Sequence, residues 1–282
     1  MSVERGGWTI RALKLWIPLG AFMVFTLFPF YWMAVTSIKP NSELYNRKIM
    51  PMIVYHPTLK HYVDLLTETN FLIWTWNTFL VAVVSTAISL VFGTMLAYPL
   101  ARMKFAGSAL ISFGVAATYL VPQPLLFIPL ADIINQLHLG DTLTSVILTY
   151  PTLLIPFCAW LLMGYFRSVP TELEDAARID GATRLQTMIK VFLPLCVPGF
   201  ISAGIFAFTL SQNEFLYALI FLTQTDVRTV PVGAIAELIK GDVFYWGQLM
   251  AAALLGSVPV AVIYSFFVEH YVAGLTAGAV KQ

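Results

Sequence analysis

Charge is scarce in this chain. Of its 282 residues only 11% are Asp, Glu, Lys or Arg, while 59% are apolar. Soluble domains carry about 25% charged and about 45–50% apolar residues, so a soluble enzyme is excluded. Intrinsic disorder is excluded by the same figures, because it requires low hydrophobicity and high net charge. An excess of either sign is also missing. The formal net charge is +1, which gives no basic field for nucleic acid. Cysteine is nearly absent: Cys158 and Cys196 are too few and too isolated for a disulfide framework or a metal site. Both read as small hydrophobes facing the membrane. The four histidines are scattered. His56 and His61 lie in a polar stretch at a poor metal spacing and are expected to be loop residues. No Gly-x-x-x-x-Gly-Lys-Ser/Thr run occurs, so the backbone cradle for nucleotide phosphates is lacking. Nor does any apolar run hold a His/Asp/Glu or Ser/His cluster, which argues against an enzyme embedded in the membrane.

Long apolar runs are what the chain has instead. Residues 15–36, 72–100, 109–131, 143–166, 199–222 and 249–272 each reach the roughly 20 residues that cross a bilayer as a helix. The reading is an all-α membrane protein: an N-terminal segment 1–14, six spans over 15–272 and a tail 273–282. Arg5, Arg11 and Lys14 precede the first run as they would a signal peptide, but the run is too long and lacks a small-residue cleavage site. With the N-terminus inside, ten Lys and Arg fall on the cytoplasmic side and six outside. Six spans then place both termini in the cytoplasm. Two outer connections are long, 37–71 and 223–248, and the first carries Pro40, Pro51 and Pro57 in a polar excursion. Proline also recurs inside the runs, most densely at Pro122-Gln123-Pro124. Such residues break backbone hydrogen bonds and mark either a structural bend or a kink beside a pathway.

Residues 167–198, between the fourth and fifth runs, are polar and ordered by local signals. Pro170 blocks a continuous helix from the fourth run. Thr171 and Glu174 fit a capping box, opening a helix to about Asp180, where Gly181 can take the left-handed turn that ends it. Thr183 and Gln186 fit a second capping box, whose helix Pro194 should stop. Ala176 and Ala177 remove bulk, so another surface could approach closely. By charge alone the segment reads as a solvated connector.

The spacing says more. Asp175-Ala176-Ala177, then Gly181, then Val191-Phe192-Leu193-Pro194 resembles the EAA loop of permease subunits in bacterial binding-protein-dependent ABC importers, with Asp175 for the usual Glu and Val191 for the usual Ile. The likeness continues in Leu27-Phe28-Pro29-Phe30-Tyr31-Trp32, Asn77-Thr78, Ala97-Tyr98-Pro99-Leu100-Ala101-Arg102, Asn213-Glu214-Phe215, Thr229-Val230-Pro231-Val232 and the tail Ala273–Lys281. Together these are similar to carbohydrate-uptake permeases of the maltose-transporter G type.

That resemblance implies a type I importer permease fold in the bacterial inner membrane. It implies a heterodimer with a second permease, two ATPase subunits that bind ATP and Mg, and an extracytoplasmic sugar-binding protein. No cofactor is implied on this chain, and no nucleic acid. By position, Glu174, Asp175, Ala176, Ala177, Asp180 and Gly181 would couple to the ATPase, with Pro194 closing the motif. Gly274, Thr276 and Gly278 in the tail would reach the ATPase. Substrate contacts are read from the residues themselves. Glu214 lies about 15 residues into the fifth run, roughly 20 Å deep at about 1.5 Å per residue, and intramembrane acids mark functional sites by default. Asn213 beside it and Gln123 at the proline kinks are the other pathway candidates. A polar pair holding the bundle together is the alternative for Asn213 and Glu214. For the whole chain the competing function is a self-sufficient secondary transporter or channel, which would want more midplane ionisable groups and internal repeats. An ABC importer of another solute would share the EAA loop but not the outer motifs and tail.

Overall fold

The structure, a computed structural model, describes residues 4–103, 105–118 and 121–277, with side chains over 13–103, 105–118 and 121–268. Among them every regular element is a helix except one two-stranded hairpin. The chain forms two compact units, Met1–Phe71 with Ala234–Ser257, and Leu72–Gly233 with Val258–Gln282.

The first unit contains α1 (Glu4–Ser37), which runs through Pro18 and Pro29 without interruption. From Leu13 on, nearly all its apolar side chains are exposed until Val35–Ser37, a pattern stable only where the solvent is lipid. The connection after it folds around buried polar groups, with α2 (Asn41–Leu44) and α3 (Lys60–Glu68) as its helices. The Lys39 ammonium donates to the carbonyls of Met50 at 3.1 Å and Pro51 at 2.7 Å. Glu43 accepts from the Tyr55 and His56 amides and pairs with the His56 ring. His61 is not a loop residue as expected. It lies on α3, 5% exposed, with Nε2 2.7 Å from the Lys39 carbonyl. Local sequence could not show that, because its acceptor is 22 residues away. The unit also holds the hairpin β1 (Ile239–Lys240) and β2 (Val243–Phe244), which turns at Gly241.

The second unit is built on α4 (Phe71–Arg102). On this helix Thr78, Ala82, Ser85, Ser89, Gly93 and Ala97 are all buried, spaced three or four apart. Small residues on one stripe are what lets membrane helices approach closely. The elements that follow are α5 (Ser108–Thr118), α6 (Gln123–Gln136), α7 (Leu143–Thr149), α8 (Pro151–Phe166), α9 (Glu172–Ile179) and α10 (Arg184–Thr187). After them come a π-helical turn at Met188–Phe192, α11 (Leu193–Leu195), α12 (Val197–Gln212) and α13 (Leu216–Phe221). The helices α14 (Val230–Leu238) and α15 (Trp246–Ala277) each belong partly to both units. Gly93 meets α8 at Cys158, where an added Cβ would stand 2.8 Å from the cysteine Cβ. Gly199 similarly sits on the Tyr165 ring. Both cysteines are fully buried between helices and do not face the membrane, because α8 and α12 pack closely enough to enclose small side chains. Phe166 and Phe192 meet edge to face at 5.0 Å in one core, and Tyr150 and Tyr217 anchor another.

Four helices are continuous, long and apolar enough to span a bilayer: Leu13–Ser37, Phe71–Arg102, Leu143–Phe166 and Trp246–Val268. Two further helix pairs are bent, and bring the number of spans to six if each pair crosses as one. Ser108–Thr118 and Gln123–Gln136 meet at 94°, on either side of the Pro122 region, and Arg184–Leu195 meets Val197–Gln212 at 74°. Pro194 does not end its helix as the sequence suggested. It occupies the first turn of α11, where no amide hydrogen is needed, and the bend comes at Cys196, before Pro198. The expected start of a separate tail at 273 falls inside α15.

Candidate functional site

The helix α9 is held at both ends by its own chemistry, though not in the way expected at its start. Thr171 makes no side-chain cap. Glu174, the expected partner in a capping box, turns away to a stronger one: its Oε1 takes Arg102 at the end of α4, and its Oε2 takes the Tyr98 hydroxyl at 3.0 Å. A carboxylate prefers a guanidinium to a peptide amide. The other end of α9 follows expectation. Gly181 has φ +88°, its amide reaches the Arg178 carbonyl at 3.1 Å, and the Ala182 amide reaches Ala177 at 3.0 Å, the double closure of a Schellman turn. The second capping box is formed by Thr183 and Gln186.

The two faces of α9 differ. Glu174 and Ala177 are partly covered. Ala176, Asp175 and Asp180 are exposed, and Ile179 is 86% exposed. Ala176 and Ala177 therefore do separate things: Ala176 lies on the free face, and Ala177 packs inward.

Arg102 is the centre of this junction. Besides Glu174 it donates to the carbonyls of Phe166 at 3.2 Å, Val169 at 2.8 Å and Pro170 at 3.4 Å, and it lies 5.1 Å over the Phe192 ring.

A second constellation sits where α12 gives way to α13. Asn213-Glu214-Phe215 interrupts the fifth apolar run. Both Glu214 oxygens accept backbone amides of the next helix, Tyr217 at 2.9 Å and Ala218 at 3.2 Å. Asn213 donates back to the Thr209 carbonyl at 2.8 Å. The pair thus satisfies both ends of the break, as a broken helix in hydrocarbon requires. The break opens into a cleft of about 660 Å³ lined by Gln123, Tyr150, Thr152, Asn213, Glu214 and further, mostly apolar, side chains. All three residues singled out for a substrate pathway line this one cleft. Among its described lining residues none is basic.

The opposite end of α4 from Arg102 grips a loop. Trp74 Nε1 donates to the Thr225 carbonyl at 2.7 Å, Asn77 Nδ2 to the carbonyls of Asp226 and Arg228, and the Thr78 hydroxyl accepts the Val230 amide at 2.8 Å. Asp141 holds the same loop. It accepts from the Thr223 hydroxyl at 2.8 Å and from the amides of Thr223 and Gln224. Partial burial pushes the Asp141 carboxyl up, but these hydrogen bonds outweigh it and hold the group below the usual carboxylate range. A depressed folded pKa adds stability above the unfolded value and loses it as pH falls through the folded one. Asp141→Asn keeps the left-handed backbone, φ +54°, which Asn tolerates. It should therefore melt at a lower temperature than the parent protein at neutral pH, and the gap should narrow as pH falls below about 4, the ordinary Asp value, and vanish below the depressed folded one. Thermal unfolding of the detergent-purified protein across that range checks this.

Reasoning from sequence missed Arg102, Tyr98 and Asp141 as site residues. Arg102 and Tyr98 stood in a quoted motif, but nothing local linked them to Glu174, 72 and 76 residues on. Gly274 and Thr276 lie in the backbone of α15, with nothing described of their surroundings, and Gly278 lies outside the described residues. Among the described residues no group of three His, Cys, Asp or Glu could hold a metal.

Compared with known proteins, residues 89–276 match the family described as binding-protein-dependent transport system inner membrane component. The chain is similar to the sulfoquinovosyl glycerol transport system permease protein of Agrobacterium fabrum, 38% identical over 94% of this chain and 92% of that one. It is also similar to the trehalose/maltose transport system permease protein of Thermococcus litoralis, 32% identical over 95% of this chain and 97% of that one. Among solved structures, a chain of a bacterial ABC transporter involved in import of the acidic polysaccharide alginate shares the fold with a TM-score of 0.76. It covers 96% of this chain and 98% of that one at 21% identity.

Proposed function

The chain belongs to the family of binding-protein-dependent transport system inner membrane components, and from that membership we propose that it is the transmembrane permease subunit of an ATP-driven ABC importer. Its cargo is a carbohydrate or polyol, moved into the cytoplasm by alternating access. The fold is that of a type I importer permease. In this reading the chain performs no chemistry itself. ATP and Mg are bound by two ATPase subunits, a second permease completes the pathway, and an extracytoplasmic binding protein delivers the sugar. The Lys and Arg distribution supports cytoplasmic termini and a cytoplasmic α9.

The observation that carries the reading is the free face of α9. It is a helix outside the apolar runs, closed at its C-terminal end by Gly181, and it holds Ile179 almost fully in solvent beside the small Ala176. Leu173, Ala176 and Ile179 are all exposed and three residues apart, so the free face carries an apolar stripe on an otherwise polar helix, and contiguous exposed apolar surface marks a protein contact. Asp175 and Asp180 on the same helix add negative charge for a basic rim on the partner. Closing of the ATPase dimer then moves α9 as a solid body, because its end is closed at Gly181 and its covered face is bonded to α4. In the same reading Gly274, Thr276 and Gly278, near the C-terminus, also contact the ATPase.

The cleft at the break in the fifth span is the proposed stretch of sugar pathway. Each Glu214 oxygen accepts one backbone bond and keeps acceptor capacity for a sugar hydroxyl. Asn213, Gln123 and Tyr150 add further polar groups to the same wall. A wall without a basic group suits a neutral sugar.

The test is a proteoliposome holding both permeases and the ATPase. Sugar-loaded binding protein should raise ATP hydrolysis and drive sugar inward. Sugar accumulation by this chain alone, with no ATPase present, would contradict the proposal.

A further inference from the structure

The segment joining α8 to α9, Arg167 to Thr171, is largely non-helical and carries Pro170. Left to itself, such a joint would bend when α9 is pushed, and the push would not reach the spans. Arg102 bridges it. One guanidinium holds the carbonyls of Phe166, Val169 and Pro170 across the joint and the Glu174 carboxylate beyond it. The Arg102 and Glu174 side chains are only 5% and 15% exposed. We propose that Arg102 is a positioning residue that locks α9 to α4, so that displacement of α9 is delivered to the second span instead of being absorbed in the joint. This rests on the reading of α9 as the coupling helix.

Two physical points favour a mechanical role over simple stabilisation. A buried ion pair is weak evidence for stability, since an apolar pair of similar volume often serves as well. What an apolar pair cannot do is hold several fixed acceptors in a set geometry, which a planar five-donor fork can. The second point is the helix that Arg102 ends. At about 1.5 Å per residue, the 32 residues of α4 make a rod of roughly 48 Å. Its far end is fastened by Trp74, Asn77 and Thr78 to the loop at 225–230. Between the two ends Val81 packs in the same core as Tyr150 and Tyr217, beside the cleft. One rigid element therefore joins α9, the cleft level and the opposite loop. Two of the motifs noted in the sequence, Ala97–Arg102 and Asn77-Thr78, are its two fastenings.

The experiment uses the whole importer, reconstituted with its second permease, ATPase and binding protein, and reads ATP hydrolysed per sugar moved. Arg102→Lys keeps the charge but loses the fork. Arg102→Met with Glu174→Leu removes the pair and leaves no buried charge. Arg102→Lys, which leaves every residue of α9 unchanged, should assemble with the ATPase at close to the parent level while ATP consumed per sugar rises severalfold, and the ratio should rise further in the double-variant complexes that assemble. An unchanged ratio in assembled complexes overturns the proposal. Loss of both variants from the membrane also overturns it, in favour of a purely structural role. If the parent complex shows no sugar-dependent ATP hydrolysis at all, the importer reading fails instead, which is a separate and recognisable result.

Discussion

Ile179→Asp should lower sugar uptake by at least about tenfold while leaving the protein in the membrane at its normal level. Ile179 is 86% exposed in this chain, so the change removes no internal contact and should not affect folding. If the side chain is covered by the ATPase in the assembly, it contributes about 1.5–3 kcal/mol there, and each 1.4 kcal/mol is a factor of about ten in affinity. A carboxylate in its place must also lose water without a partner, which adds to the loss. Uptake of labelled sugar, normalised to membrane abundance by immunoblot, reads the effect. Ala176→Trp, on the same exposed face, should act in the same direction by blocking close approach. Ala177→Trp should behave differently, because Ala177 is partly covered and a large ring there would push α9 off the bundle.

The second large effect is expected at the helix break. Glu214→Ala removes the acceptors for the amides of Tyr217 and Ala218, both fully buried residues. An unsatisfied buried group costs about 1–3 kcal/mol, so two of them are enough to unwind the start of α13 and reshape the cleft. Uptake should fall at least about tenfold, and co-purification with the ATPase should persist, since α9 is untouched. Glu214→Gln keeps one oxygen acceptor and should fall between the parent and the alanine variant. Full uptake by Glu214→Ala would remove the cleft from the pathway and reduce Asn213 and Glu214 to bundle-holding residues.

Much of this architecture was legible because lipid imposes a simple pattern. Runs of apolar residues locate the spans, and 143–166 was read with the ends the helices have. Glycine and capping signals located the end of α9 and the start of α10 because both are settled within a few residues. The failures have a common cause. Thr171 makes no cap because its backbone is already helical, φ −71° and ψ −26°, where a capping residue needs extended angles, and Glu174 has a guanidinium partner 72 residues away in sequence. His61 is buried by a carbonyl 22 residues distant. Pro194 sits where a new helix begins, and the bend falls two residues later. The interruption at Asn213-Glu214 was readable as polar residues in an apolar run, but not as a pair that caps both sides of a break. The resemblance motifs supplied the residues of the α4 fastenings. Their pairing, Thr78 with Val230 and Arg102 with Glu174, exists only in three dimensions, where no local period reports it.

The central claim is that this chain is one permease of an importer that takes its energy from an ATPase docked on α9. The most direct test is recovery of the tagged protein from mild detergent, with mass spectrometry of what accompanies it, for the parent chain and for one with residues 172–182 scrambled. The account predicts an ATPase and a second permease with the parent chain, and loss of the ATPase from the scrambled one. A parent chain that purifies alone, or only with copies of itself, would contradict it and favour a self-sufficient transporter.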